Sequence, residues 1–200
     1  MKPLSLHQRC ENYNTKFPPP YLHIDRLAQK DCITGCWFLG GSRHSDFYGA
    51  YHNEYLARIT TLFSDATSVV HLFSGSLPPN AAYTRVGIDP TGKGKTADLV
   101  GNAENLSSFL PFKPDIIYSD PPYTKQEAEE DYQVSLVNGP RVLDECGIVL
   151  QPGGFVVWLD QRLPVFSNER LKLVGLISYI RSTGNRFRVV SIFQKPCNVK

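Results

Sequence analysis

Between residues 69 and 160, five short apolar runs each stop at a small or acidic polar residue, and this punctuation constrains the fold more than any other feature. Val69–Phe73 stops at Ser74-Gly75-Ser76, Arg85–Ile88 at Asp89, Asp98–Val100 at Gly101-Asn102-Ala103, Asp115–Tyr118 just before Asp120, and Phe155–Leu159 at Asp160. Short β-branched and aromatic runs separated by longer connections read as strands joined by crossovers. Two further runs, Leu173–Ile180 and Arg186–Phe193, flank Ser182-Thr183-Gly184-Asn185 and read as an antiparallel hairpin. The sum is an α/β chain with a doubly wound, seven-stranded mixed sheet and a hairpin at one edge.

The remaining segments are assigned by periodicity. Tyr55, Leu56, Ile59, Leu62 and Phe63 recur at three- and four-residue steps, predicting a helix from Asn53, its N-cap, to Phe63. Gln126 to Leu150 reads as mostly helical, stopped by Gln151-Pro152-Gly153-Gly154. Residues 1–30 read as irregular around Pro18-Pro19-Pro20, and Cys36–Leu39 as a short strand. The chain is therefore expected to divide into an irregular N-terminal extension, 1–45, and a single domain, 46–200.

Charge is unevenly spread. The net value is +2, yet residues 161–200 carry +7 and residues 1–160 carry −5. Arg181, Arg186 and Arg188 bracket the hairpin turn, where they fit either a polyanionic partner or a solvated edge. No apolar run reaches the roughly 18 residues of a membrane span, and the first residues lack the apolar core of a signal peptide, so a cytoplasmic protein is expected. Five cysteines, an odd number, argue against a disulfide framework. Cys32 and Cys36 have half the spacing of a zinc site, but no matching pair follows, and no metal is expected.

Asp120-Pro121-Pro122-Tyr123 carries the chemistry. It places a carboxylate, a rigid turn and an aromatic plate at the carboxyl end of a strand, the edge where open α/β sheets bind ligands. Two prolines fix φ near −65°, so the Pro121 carbonyl is held before substrate arrives. Together with Phe73-Ser74-Gly75-Ser76, the motif resembles class I S-adenosylmethionine-dependent amino-methyltransferases. Within them it looks most like small phage and prophage DNA adenine-N6 methylases.

The resemblance implies the strand order 3-2-1-4-5-7-6 and S-adenosylmethionine as cofactor. It implies that Asp120 and the Pro121 carbonyl accept the two N–H bonds of a base amine, and that Tyr123 stacks on an extruded base. Cofactor contacts are expected from Tyr48, within Phe47–Tyr51, and from Phe73, Ser74, Gly75 and Ser76, with a following helix terminus facing the cofactor carboxylate. Asp89 would accept the ribose hydroxyls, Asn102 would meet the adenine edge, and Asp120 borders the same cleft. The turn departs from the family pattern in having one glycine followed by Ser76-Leu77-Pro78-Pro79.

Several readings stay open. The same four residues occur in guanine-N2 methylases of ribosomal RNA, and RNA adenine is a further target. A methylase-like module that binds without turnover is an alternative from another class. Few residues are spare for a recognition domain, so a homodimer or a separate recognition subunit is expected if the DNA site is sequence-specific.

Overall fold

The computed structural model describes residues 3–40, 51–75, 77–87, 97–131, 134–181 and 187–197. Among these residues nine strands form one sheet: β1 (His23–Leu27), β2 (Lys30–Leu39), β3 (Val69–Leu72), β4 (Thr84–Gly87), β5 (Leu99–Val100), β6 (Ile116–Ser119), β7 (Phe155–Asp160), β8 (Lys172–Arg181) and β9 (Phe187–Gln194). Their spatial order is β1-β2-β8-β9-β7-β6-β3-β4-β5. The expected seven-stranded sheet is thus corrected to nine. The seven expected strands keep the implied sequence among themselves, and β2 and β1 extend the sheet beyond β8.

The correction has a physical cause. Cys36–Leu39 is the apolar end of β2, whose start at Lys30 and Asp31 is exposed and pairs with β1 but not with β8, so it carries no apolar signal. Nor is the N-terminal extension irregular. Helix α1 (Leu6–Lys16) opens on a capping box in which the Ser5 side chain accepts from the Gln8 N–H and the Gln8 side chain accepts from the Ser5 N–H. Only Arg9, Cys10 and Tyr13 of this polar helix are buried. A guanidinium does the packing that a leucine would normally do: Arg9 lies 4.9 Å from the centroid of Phe63 and 4.7 Å from that of Phe155.

Helix α2 (Asn53–Leu62) forms where the apolar spacing places it, with His52 rather than Asn53 as its N-cap. The long helix expected over 126–150 is instead a π-helical turn (Glu127–Asp131) and a separate α3 (Gly139–Val149). Pro140 sits at the start of α3, where its missing N–H costs nothing, and the Asn138 side chain accepts from the Arg141 N–H. A 3-10 segment, Ala103–Ser108, follows β5.

Two apolar cores flank the sheet. On one face α1 and α2 cover Trp37, Tyr118, Val157, Ile177 and Tyr179. On the other, α3 and the 3-10 segment cover Val70, Ile117, Val156 and Trp158. Pairing is parallel between β3 and β4, β4 and β5, β3 and β6, and β6 and β7; β9 runs antiparallel between β7 and β8. The sheet therefore reverses between β3 and β6, whose carboxyl ends leave side by side: Leu72 pairs with Ser119. Among the described residues, no helix is long and apolar enough to cross a membrane.

Candidate active site

At the reversal point, β6 buries all four of its residues and releases the chain at Asp120. The Tyr123 hydroxyl donates to Asp120 Oδ1, and the Tyr123 N–H donates to Glu127 Oε2 at 2.8 Å. The Pro-Pro turn thus folds Tyr123 back on the carboxylate, with Oδ2, among the described residues, left for another donor. Half-buried Asp120 has its pKa raised from 3.8 to about 6. Burial is the main cause, and Glu127 and Asp160 add to it, while Arg188 and the Tyr123 hydroxyl oppose it. At neutral pH the group is an anion in a site that resists the charge.

Asp160 ends β7 beside it. Its Oδ2 accepts from Trp158 Nε1 at 3.2 Å and its Oδ1 from the Gln161 N–H at 2.6 Å. Trp158 is buried and packs with the core under α3. Arg188, near the start of β9, pairs in register with Tyr179 and lays its guanidinium over Tyr123, 4.5 Å from the ring centroid. Arg188, read from the sequence as a candidate phosphate contact or a solvated edge residue, thus makes an aromatic contact within the chain. Arg181 ends β8 at the same edge and depresses the Tyr179 pKa that burial raises.

On the β3 side, Phe73 has φ 55° and Gly75 φ 51°. A left-handed phenylalanine costs about 1–2 kcal/mol, whereas glycine adopts that region freely. Such strain persists only where the surroundings impose it, and functional turns are a common location. Ser74 is buried, its N–H donating to the Val86 carbonyl at 3.4 Å and its carbonyl accepting from the Leu77 N–H at 2.9 Å. The expected helix after this turn is absent among the described residues between β3 and β4, because Pro78 and Pro79 follow at once. No helix N-terminus there faces a carboxylate. The crossover is instead tied by Arg85, which donates to Asp98 at 2.8 Å and to the Leu77 carbonyl at 3.0 Å.

Asn102 stands at the same edge after β5, where its Oδ1 accepts from the Glu104 N–H at 2.9 Å and caps the 3-10 segment. Tyr48, Ser76, Asp89 and Arg186 lie outside the described residues. The structure brings together Asp120, Tyr123 and Arg188, with Phe73, Ser74 and Gly75 at the adjoining strand exit.

Sequence reasoning missed an aromatic wall beneath Asp120. Tyr51 stacks on Tyr55 at 6.0 Å, Tyr55 on Tyr179 at 5.7 Å, and His71 meets Tyr51 at 5.5 Å and Tyr118 at 5.0 Å. The Tyr51 and Tyr55 hydroxyls are buried, without a hydrogen-bond partner among the described residues. Burial and the negative charge of Asp120 keep both phenols protonated, hence donors. The readable signals were the four-residue step from Tyr51 to Tyr55 and a histidine inside an apolar strand. Cys10 and Cys32 lie elsewhere as buried thiols, with Cys10 pushed up to about 11 mainly by burial. Among the described residues, no cluster of three or more His, Cys, Asp or Glu is placed to hold a metal.

No family model and no curated protein matches the chain. Among solved structures, TrmN from Thermus thermophilus is similar over 64% of this chain and 44% of its own, at 18% identity and a TM-score of 0.45. A putative methyltransferase, yhhF, from Escherichia coli is similar over 76% of this chain and 91% of its own, at 14% identity and a TM-score of 0.49. A putative SAM-dependent methyltransferase from Streptococcus mutans is similar over 88% of this chain and 56% of its own, at 13% identity and a TM-score of 0.49. The chain spans less than half the length of the Thermus thermophilus protein. With TM-scores below 0.5 these likenesses carry no weight for function, and the case rests on the residues above.

Proposed function

We propose that the edge between β3 and β6 binds S-adenosylmethionine and methylates an exocyclic amino group of a nucleobase, adenine N6 in DNA. The observation that carries this reading is Asp120: an anion held at the reversal point, one oxygen taken by Tyr123 and the other, among the described residues, open, in a site whose burial raises its pKa to about 6.

An exocyclic amine is a poor nucleophile because its lone pair is delocalised into the ring. Asp120 accepts one N–H and the Pro121 carbonyl the other, which favours tetrahedral nitrogen and frees the lone pair. Acceptors fixed in advance stabilise the developing positive charge without reorganising. A carboxylate whose pKa lies near 6 is also a competent acceptor for the proton the nitrogen must finally lose. When bound, S-adenosylmethionine supplies a methyl group already activated on a cationic sulfur.

The residues present fit such a group on two observations. The turn at Phe73 and Gly75 brings backbone to the crevice in a left-handed conformation. The Tyr51 and Tyr55 hydroxyls are buried donors with no partner among the described residues, the condition expected of a wall that a polar ligand completes. The fit fails for the cofactor carboxylate at a helix terminus, since no helix stands between β3 and β4 among the described residues.

Nucleoside analysis by mass spectrometry, after exposing unmodified DNA and RNA to the protein and S-adenosylmethionine, tests the reading. N6-methyladenine in DNA is expected. N2-methylguanine or N6-methyladenine in RNA alone would move the target to RNA, and no methylated nucleoside in either would leave a binding module.

A further inference from the structure

The geometry points to Arg188 as the occupant of the target base's place, one that gives up the Tyr123 face when a nucleotide arrives and pairs instead with its phosphate. This rests on the reading of Asp120-Pro121-Pro122-Tyr123 as a base-amine site and adds the substrate class, a base carried on a phosphodiester.

The argument begins with space. Stacked groups sit about 3.5–4 Å apart, so a base between Tyr123 and a second plate needs roughly 7 Å. The Arg188 guanidinium lies 4.5 Å from the Tyr123 centroid, which leaves room for nothing between them. A guanidinium is flat and stacks on aromatic faces as a base does, so the two compete for one surface. The arginine also stands close enough to Asp120 to lower its pKa, placing it by the carboxylate the amine must reach.

Register supplies the means of exchange. Arg188 is the second residue of β9 at the edge where the site opens, and it is held opposite Tyr179, whose ring centroid is 6.0 Å from the guanidinium. Its long side chain can leave Tyr123 while the strand stays paired. What it then needs is another anion or ring, and the fork of guanidinium donors matches a phosphate. A free nucleoside must displace Arg188 and offers it nothing in return; a nucleotide in a strand does.

Opposite signs are therefore expected from one substitution. Binding of adenosine, and of short single-stranded oligodeoxy- and oligoribonucleotides containing one adenine, is measured by calorimetry on the whole protein and on R188A and R188K. Adenosine should bind R188A about two- to thirty-fold more tightly than the unsubstituted protein, the range a cation–π contact spans. The oligonucleotides should bind R188A no tighter, or more weakly. R188K, which keeps the charge but loses the plane, should gain affinity for adenosine and retain it for the oligonucleotides. Equal weakening toward both ligands would make Arg188 a structural residue and overturn the proposal, as would no change toward either. If neither adenosine nor any oligonucleotide binds the unsubstituted protein or its variants, the base-amine reading itself falls. R188K also guards against a fold lost in R188A.

Discussion

The Arg188 guanidinium and the Tyr123 ring stand 4.5 Å apart, and the Tyr123 hydroxyl donates to Asp120, so cation, ring and carboxylate form one electrostatic unit. Arg188 opposes the rise of the Asp120 pKa that burial, Glu127 and Asp160 produce. Methyl transfer that needs the Asp120 anion should lose kcat/KM as pH falls through about 6. Removing the positive charge with Arg188→Ala should shift that limb to higher pH, read from a pH–rate profile on an oligonucleotide. A downward or absent shift would separate Arg188 from Asp120.

The same carboxylate should cost stability. Folded Asp120 holds its proton to about pH 6, while an ordinary carboxylate loses it near 3.8, so ionisation opposes folding. The penalty is absent below about pH 4 and complete above about pH 6. Asp120→Asn should therefore stabilise the protein at pH 7.5 by about 1–2 kcal/mol after allowing for solvent screening, and by little at pH 4. Denaturant titrations at the two pH values check this.

His71 should titrate with the opposite sign. Burial among Tyr51, Tyr83 and Tyr118 lowers its pKa from 6.5 to about 4. The unfolded chain takes up the proton first as pH falls, so stability drops between about pH 6.5 and 4. His71→Phe keeps an aromatic ring in place and should remove that part of the acid sensitivity. Melting temperatures of the two proteins should converge toward acid less steeply for the variant; parallel curves would contradict the assignment.

Arg9 and Asp65 fasten α1 to the end of α2. Arg9 donates to Asp65 at 2.6 and 2.9 Å and to the Leu62 carbonyl at 2.8 Å, with 2% of its side chain exposed. Asp65→Ala would leave a buried guanidinium short of its partner, at a cost of about 3 kcal/mol. Replacing both, Arg9→Met with Asp65→Leu, should cost less than Asp65→Ala alone. A double variant as unstable as the sum of the singles would show that the pair is not the fastening.

Much of the sheet was legible because buried strands need unbroken apolar runs, and the residues that end them sit at one edge. The places of Asp120, Tyr123, Phe73 and Gly75 just past the ends of β6 and β3 were legible for that reason. The strand at Cys36–Leu39 was read as the end of β2, but its start, β1 and α1 were not, since α1 buries only Arg9, Cys10 and Tyr13 and β1 is an exposed edge strand, so neither shows apolar periodicity. Pro140 and Asn138 did mark the start of a separate helix, a signal hidden within a segment otherwise rich in helix formers. The aromatic wall draws Tyr51, Tyr55, His71, Tyr118 and Tyr179 from distant segments, and only the sheet order brings them together. The stack of Arg188 on Tyr123 likewise exists only because β9 is inserted between β7 and β8.

Transfer of labelled methyl from S-adenosylmethionine to an adenine-containing oligonucleotide at pH 7.5, by the protein and by Asp120→Ala, tests the central claim most directly. Incorporation by the protein and a loss of about 10²–10³-fold in the variant are predicted, the effect of removing one pre-set hydrogen-bonding group from a transition state. Incorporation that survives Asp120→Ala unchanged would contradict the account.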